Sequence, residues 1–82
     1  MNIIDATKLA MDRGLGITRP EFKKAVYLIP TNTIECYITI PVGFKFKGRK
    51  AGDLSAAPRW NPRAADILAD DWKLTEANPL SP

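Results

Sequence analysis

A change of pattern at Gly14 constrains the fold of this chain more than any other feature. Before it, apolar residues recur at helical spacing, and Asn2 with Asp5 three residues later is typical of a helix start. The pattern predicts a helix over residues 3–13 with Gly14 as its C-terminal cap. After Gly14, short β-branched and aromatic runs alternate with turn residues, which is typical of antiparallel strands. The sequence therefore predicts an α+β fold, with an N-terminal helix and a small antiparallel β-sheet.

The later part of the chain is predicted to hold a hairpin, a long loop and a second short helix. Strands are predicted at residues 15–18, 25–29, 35–40, 44–47 and 72–74. Residues 30–34 have a length suited to a hairpin loop, and residues 48–59 read as a surface loop. Asn61 and Pro62 fit the N-cap and first position of a helix over residues 62–69, before the last strand.

The length of 82 residues allows one domain, which we place at residues 1–76, with a C-terminal tail at residues 77–82. A domain of this size buries only about 60 to 65% of the surface that its unfolded chain exposes and is marginal as a monomer, so self-association is expected. No basic region followed by an apolar run opens the chain, and no stretch approaches ~18 apolar residues. We expect a cytoplasmic protein that does not contact the membrane.

The composition argues against an enzyme. The chain has no histidine, the usual general base, and a single cysteine, so an intrachain disulfide or a zinc site of cysteine and histidine is excluded. Cys36 is predicted to be a buried thiol inside a strand. No glycine-rich phosphate loop is present. We expect no catalytic residue, no bound metal and no cofactor.

The excess positive charge of the chain lies in one short segment. Four basic residues stand within six positions: Lys45, Lys47, Arg49 and Lys50. A patch this small suits a few phosphates better than a nucleic-acid duplex, so we do not expect nucleic acid as the main partner. The carboxylates Asp66, Asp70 and Asp71 are best explained by helix capping and hydrogen bonding. A contact to a ligand hydroxyl and a role in catalysis or magnesium binding are the alternatives.

Two aromatic residues lie where a binding role competes with packing. Phe22 falls in a polar turn at residues 18–24, where a large ring has little core to enter. Trp60 stands between Arg59 and Asn61 at the predicted start of a helix, and helix N-termini attract anions. Core packing is the commoner role of such rings; the alternative is a nucleotide clamp in which they stack a base.

The segment from Trp60 to Trp72 resembles a known family motif: Trp-x-Pro-x-x-x-Asp-aliphatic-aliphatic-Ala-x-Asp-Trp. Residues 17–22, Ile-Thr-Arg-Pro-x-Phe, and the strand that follows are similar to the same family, Thoeris anti-defence type 2, found in phages, prophages and bacteria. The resemblance implies a non-enzymatic protein that sequesters nucleotide second messengers of bacterial immunity, such as cyclic ADP-ribose isomers or cyclic oligonucleotides. It also implies a homotetramer with ligand pockets at subunit interfaces.

The resemblance implies roles for five residues. Phe22 and Trp60 would be aromatic platforms, and Arg19, Asn61 and Asp66 would lie near polar groups of the ligand. To these the charge argument adds Lys45, Lys47 and Arg49 as phosphate contacts. The sequence departs from the family in two places, since tryptophan is usual at the position of Phe22 and serine at that of Arg63.

The sequence thus favours sequestration of a cyclic nucleotide signal, counteracting anti-phage defence in the host cytoplasm. A protein-interaction or structural module of phage origin is the alternative. Nucleic-acid binding through the segment from Lys45 to Lys50 is a third and weaker hypothesis.

Overall fold

The computed structural model describes residues 1–32, 34, 36–42 and 59–77. Within these residues the elements are α1 (Ile3–Arg13), β1 (Leu15–Thr18), a 3-10 helix (Pro20–Phe22), β2 (Val26–Pro30), β3 (Tyr37–Pro41), α2 (Ala64–Leu68) and β4 (Lys73–Ala77). The α+β fold predicted from the sequence is confirmed. The strand predicted at residues 44–47, nearly all of the loop predicted at residues 48–59 and the tail from residue 78 lie outside the described residues.

Helix α1 begins and ends where the sequence predicts. The Oδ1 of Asn2 accepts the backbone N–H of Asp5 at 2.8 Å, which satisfies one free donor of the first turn. Gly14 takes a left-handed conformation, with φ of 67°, and its N–H donates to the carbonyl of Ala10. Ala6 and Ala10 are fully buried, and their small side chains let the helix lie close on the sheet.

The four strands form one antiparallel sheet in the order β3-β2-β1-β4. Ile17 of β1 pairs with Leu28 of β2 and with Leu74 of β4. Strands β2 and β3 begin one and two residues later than the sequence predicts. Because β1 pairs with β4, residues far apart in sequence meet at the two ends of β1.

The sheet has a buried face on each side. On the side of α1, the core cluster consists of Ala6, Ala10, Ile17, Leu28 and Trp72. Since side chains alternate along a strand, Tyr27 and Ile29 point to the other face, opposite Ile40 and Ile38 of β3, and all four are buried.

Gly16 lets a neighbouring strand approach β1 closely. A Cβ at this position would lie 2.7 Å from the ring of Tyr27, 2.7 Å from the hydroxyl of Thr75 and 2.9 Å from the carbonyl of Leu28. These distances are too short for a Cβ atom, so only glycine fits at this position. The ring of Tyr27 occupies part of the space that a side chain of residue 16 would need.

The start of α2 differs from the prediction. Its N-cap is Arg63, two residues after Asn61, and its helical residues are Ala64–Leu68. The carboxylate of Asp66, at the third helical position, accepts the N–H of Arg63 at 3.0 Å and so fixes where the helix begins. The N-cap role predicted for Asn61 and the first helical position predicted for Pro62 are therefore wrong.

The environment of Cys36 also differs from the prediction. Its side chain is exposed, and the residue adopts a φ of 58° just before β3. The carbonyl of Cys36 accepts both the N–H of Thr31 at 3.0 Å and its hydroxyl at 2.6 Å, which closes the turn between β2 and β3. Cys36 therefore belongs to the turn, and the prediction of a buried thiol inside a strand was wrong.

No helix among the described residues is long and apolar enough to cross a membrane.

Candidate functional site

The indole of Trp72, just before β4, is the centre of an aromatic cluster. It is 1% exposed, and its Nε1 donates to the carbonyl of Asp66 at 2.9 Å. The rings of Phe22 and Trp60 meet it edge to face, with centroids 5.7 and 5.6 Å away. Tyr37 in turn contacts Trp60 at 5.3 Å. Such edge-to-face pairs add stability beyond the area that they bury.

Backbone hydrogen bonds to residues three positions away fix the position of Phe22. Its N–H donates to the carbonyl of Arg19, and its own carbonyl accepts the N–H of Ala25, both at 3.0 Å. The ring is half-buried against the core cluster, so the expectation that Phe22 has little core to enter was wrong. The part of the ring that stays exposed is the part that a ligand could contact.

Trp60 is held by pairing with β3. Its N–H donates to the carbonyl of Tyr37 at 2.8 Å, and the preceding Arg59 bridges to Ile38. Like Phe22, it is half-buried and packs against the core cluster. Both rings predicted as platforms therefore rest on the same buried indole, and each keeps some exposure.

Arg19, directly after β1, joins the aromatic cluster to a group of carboxylates. Its Nε donates to Asp71 at 2.8 Å, and its Nη1 donates to Asp66 at 2.6 Å and to Glu21 at 3.0 Å. Its guanidinium also lies over the ring of Trp72, 5.9 Å from the centroid. With a side chain only 10% exposed, Arg19 is held in one place by partners from three parts of the chain.

Asp66 is the most buried charge of this group, with 2% of its side chain exposed. Its Oδ1 accepts from Arg19 and, at 3.1 Å, from Nη2 of Arg63, while its Oδ2 accepts from the Arg63 backbone and Nε. The side-chain hydrogen bonds from Arg63 lower the pKa of Asp66 below its usual value. Burial acts in the opposite direction but has the smaller effect. The hydrogen bond from Arg19 likewise lowers the pKa of Asp71.

Arg63 occupies the N-cap of α2 without an acceptor in its side chain. The carboxylate of Asp66 accepts the N–H of Arg63, which is half of a capping box, but a guanidinium cannot return a bond by accepting one. Instead Arg63 donates to Asp66 at 3.1 Å and to Glu21 at 2.6 Å, and these bonds raise its pKa. A serine here would complete the box and would leave Glu21 with Arg19 alone.

The structure brings together four of the residues predicted for the site, Arg19, Phe22, Trp60 and Asp66. Asn61 follows Trp60 and is exposed. Lys45, Lys47 and Arg49 lie outside the described residues. Within the part of the chain that the structure describes, no group of acidic residues and cysteine is placed to hold a metal ion.

Sequence reasoning missed a cleft at the end of β1. It has a volume of about 420 Å³ and is lined by Thr18, Arg19, Pro20, Lys23, Lys24 and Lys73. Adjacent lysines in the turn were a visible signal, but Lys73 joins them only because Thr18 pairs with Lys73 across β1 and β4. A pairing between residues so distant in sequence leaves no local pattern.

Comparison with known proteins gives one family. The family model described as the Thoeris anti-defense 2-like domain matches residues 1–75, which include every residue of the aromatic cluster and of the ion-pair group. Comparison with curated proteins and with solved structures gives no match.

Proposed function

We propose that this chain, which belongs to the Thoeris anti-defense 2-like family, binds a cyclic nucleotide signal of bacterial immunity and sequesters it without cleaving it. The ligand class is a cyclic ADP-ribose isomer or a cyclic oligonucleotide. Capture of the signal would keep it from its receptor and so counteract the defence.

The observation that carries the proposal is the placement of Phe22 and Trp60 on one buried indole. Two half-buried rings held by backbone hydrogen bonds would offer a base a platform that is ordered before the ligand arrives. Stacking of a base on an aromatic side chain contributes on the order of 1 to 3 kcal/mol. A platform ordered in advance loses little conformational freedom on binding, which favours affinity.

The polar residues predicted for the site differ in how accessible they are to a ligand. Asn61 is exposed beside Trp60 and is free to meet a ligand amide or hydroxyl. Both oxygens of Asp66 already accept hydrogen bonds from arginines, so its part in binding is to hold Arg19 and Arg63 in position. The phosphate contacts of Lys45, Lys47 and Arg49 remain predictions from the charge pattern.

We further propose that the working form is a homotetramer in the host cytoplasm whose subunit interfaces complete the pockets. Large apolar side chains on the two helices support an interface, because Ile4 is 63% exposed and Leu68 is 82% exposed in the single chain.

The test is a thermal-shift and calorimetry panel of cyclic ADP-ribose isomers and cyclic dinucleotides. At least one adenine-containing ligand should raise the melting temperature and should be recovered intact after the protein is denatured. Recovery of a cleaved product would mean that the protein is an enzyme. No shift across the panel, together with one protein partner in a pull-down, would favour an interaction module instead.

A pair of substitutions at Phe22 separates stacking from packing. Phe22→Leu keeps an apolar side chain against Trp72 but removes the π face, so the protein should fold and lose about five- to 150-fold in affinity. Phe22→Trp, the residue usual in the family that the sequence resembles, should bind at least as tightly as the parent. Equal affinity for all three proteins would remove Phe22 from the site.

A further inference from the structure

Tyr37, the first residue of β3, holds Trp60 through two contacts. Its backbone carbonyl accepts the N–H of Trp60 at 2.8 Å, and its ring meets the indole at a centroid distance of 5.3 Å and an interplanar angle of 63°. The hydrogen bond fixes the backbone of Trp60, whereas the ring contact restricts the tilt of the indole. Tyr37 is therefore placed to set the orientation of one of the two rings proposed to stack a base.

The hydroxyl of Tyr37 is tied to α1. It shares a hydrogen bond of 2.6 Å with the hydroxyl of Thr7, which stands 30 residues earlier in the chain. Both side chains are partly buried, where water competes less for the bond. The neighbouring Ala6 and Ala10 are fully buried in the core cluster, so Thr7 projects from a helix that is itself fixed on the sheet. The tyrosine ring cannot turn away from Trp60 without losing its bond to Thr7.

Trp60 rests on two rings that differ in how they are held. Among the described residues, its aromatic neighbours are Trp72 at 5.6 Å and Tyr37 at 5.3 Å. Trp72 is almost fully buried and is fixed by its own hydrogen bond to Asp66. A partly buried indole that contacts one ring can still rotate about its side-chain bonds, and contact with a second ring restricts that rotation. The orientation of Trp60 therefore depends on Tyr37 as well as on Trp72.

We propose that Tyr37 is a positioning residue for Trp60, and that Thr7 acts through it by the bond between the two hydroxyls. The inference rests on the proposed function for its effect on binding, because a ring held at one angle loses less conformational freedom when a base stacks on it. Neither Thr7 nor Tyr37 falls within residues 17–22 or 60–72, the two segments whose motifs resemble the family. The site thus extends from the sheet to α1.

Quenching of tryptophan fluorescence by acrylamide tests the positioning without any ligand. The chain has two tryptophans, and Trp72 is 1% exposed, so the quencher reports chiefly on Trp60. Tyr37→Phe removes only the hydroxyl, and Thr7→Val replaces the hydroxyl by a methyl group of similar shape. Each should raise the Stern–Volmer constant above that of the parent. The double variant should raise it no further, because both substitutions remove the same bond. Thr7→Ser keeps the hydroxyl and should match the parent.

Calorimetry with cyclic ADP-ribose and with cyclic di-AMP measures the consequence for binding. Tyr37→Phe and Thr7→Val should each weaken binding of the nucleotide that the parent binds by about two- to tenfold, the usual effect of losing one neutral hydrogen bond. Thr7→Ser should bind like the parent. Lys8→Gln, at the next and exposed position of α1, is the matched control and should change neither the quenching nor the affinity.

The outcomes separate this inference from the proposed function. If the parent binds neither nucleotide but the quenching changes as expected, capture of these nucleotides fails and the positioning of Trp60 by Tyr37 stands. The positioning is overturned if Tyr37→Phe and Thr7→Val leave the quenching at the parent's value. It is also overturned if Thr7→Ser changes the quenching as much as Thr7→Val, since the hydroxyl would then not be what matters. Raised quenching with the parent's affinity in both variants would remove Tyr37 from the site.

Discussion

Arg19 is the residue on which the charges of the site converge. Its guanidinium forms ion pairs with Asp66, which lies within α2, and with Asp71, which follows that helix. It also lies over the indole of Trp72. Removing one partner from such a buried group leaves the others with unmatched charge, which destabilises more than the pair stabilises. The orientation of Arg19 towards the cleft therefore depends on Asp66, a residue that itself has almost no exposed surface.

Asp66→Asn tests this dependence through stability. At pH 7 the substitution should cost roughly 3 kcal/mol of unfolding free energy, because an amide cannot accept the same bonds from two arginines. Since the pKa of Asp66 is lowered in the folded protein, its contribution is present above the unfolded pKa, near 4, and is lost as the pH falls through the folded pKa. Urea unfolding at several pH values should therefore show the difference between parent and variant shrinking below about pH 4.

The control for that experiment is Asp12→Asn, at an exposed position on α1. This variant should change the unfolding free energy by less than about 0.5 kcal/mol, as is usual for a substitution at an exposed position. A gap between parent and Asp66→Asn that stays constant down to pH 2 would mean that the carboxylate charge of Asp66 is not what stabilises the fold.

Arg63→Ser addresses the second departure from the family pattern. A serine hydroxyl would accept the N–H of Asp66 and complete the capping box, while the lost ion pairs belong to an arginine that is 61% exposed. These effects oppose each other, so the melting temperature should stay within about 4 °C of the parent. A large drop in circular-dichroism melting would show that Arg63, rather than Arg19, holds the carboxylates together.

At the scale of elements, the two helices show what sequence reasoning can and cannot predict. Helix α1 is correct at both ends because Asn2 and Gly14 act through hydrogen bonds within four residues of themselves. Helix α2 was placed two residues early, since its start depends on Asp66, whose carboxylate is held by Arg19 from 47 residues away. The resemblance to the family motif pointed to Asp66 as a residue near the ligand, whereas the carboxylate pattern alone favoured a helix cap over a contact to a ligand hydroxyl.

Gly16→Ala tests the close approach of β1 to its neighbours. The new methyl would meet the ring of Tyr27 and the carbonyl of Leu28 at less than 3.0 Å, and the backbone carbonyl cannot rotate away. We expect a loss of about 1 to 3 kcal/mol of stability, as in other overpacked sites, measured by urea unfolding. A variant as stable as the parent would mean that β1 is free to shift away from β2.

In the folded molecule, the start of α1 and the helix α2 expose large apolar side chains. The N–H of Trp72 donates to the carbonyl of Met1 at 3.0 Å, so the start of α1 lies beside the segment after α2. Ile4, Ile67 and Leu68 are each exposed by 47% or more in this region. An 82-residue domain has a small core, and covering these side chains with another copy would add to its stability.

Leu68→Lys tests whether this region forms the subunit interface. Light scattering of the parent should give two or four times the chain mass of 9.1 kDa, and the variant should give a lower mass while keeping its circular-dichroism spectrum. Ile34→Lys is the matched control, because Ile34 is also 82% exposed but lies in the turn between β2 and β3. Its mass should equal that of the parent. A parent that is monomeric at micromolar concentration would refute self-association, and a Leu68→Lys protein with unchanged mass would place the interface elsewhere.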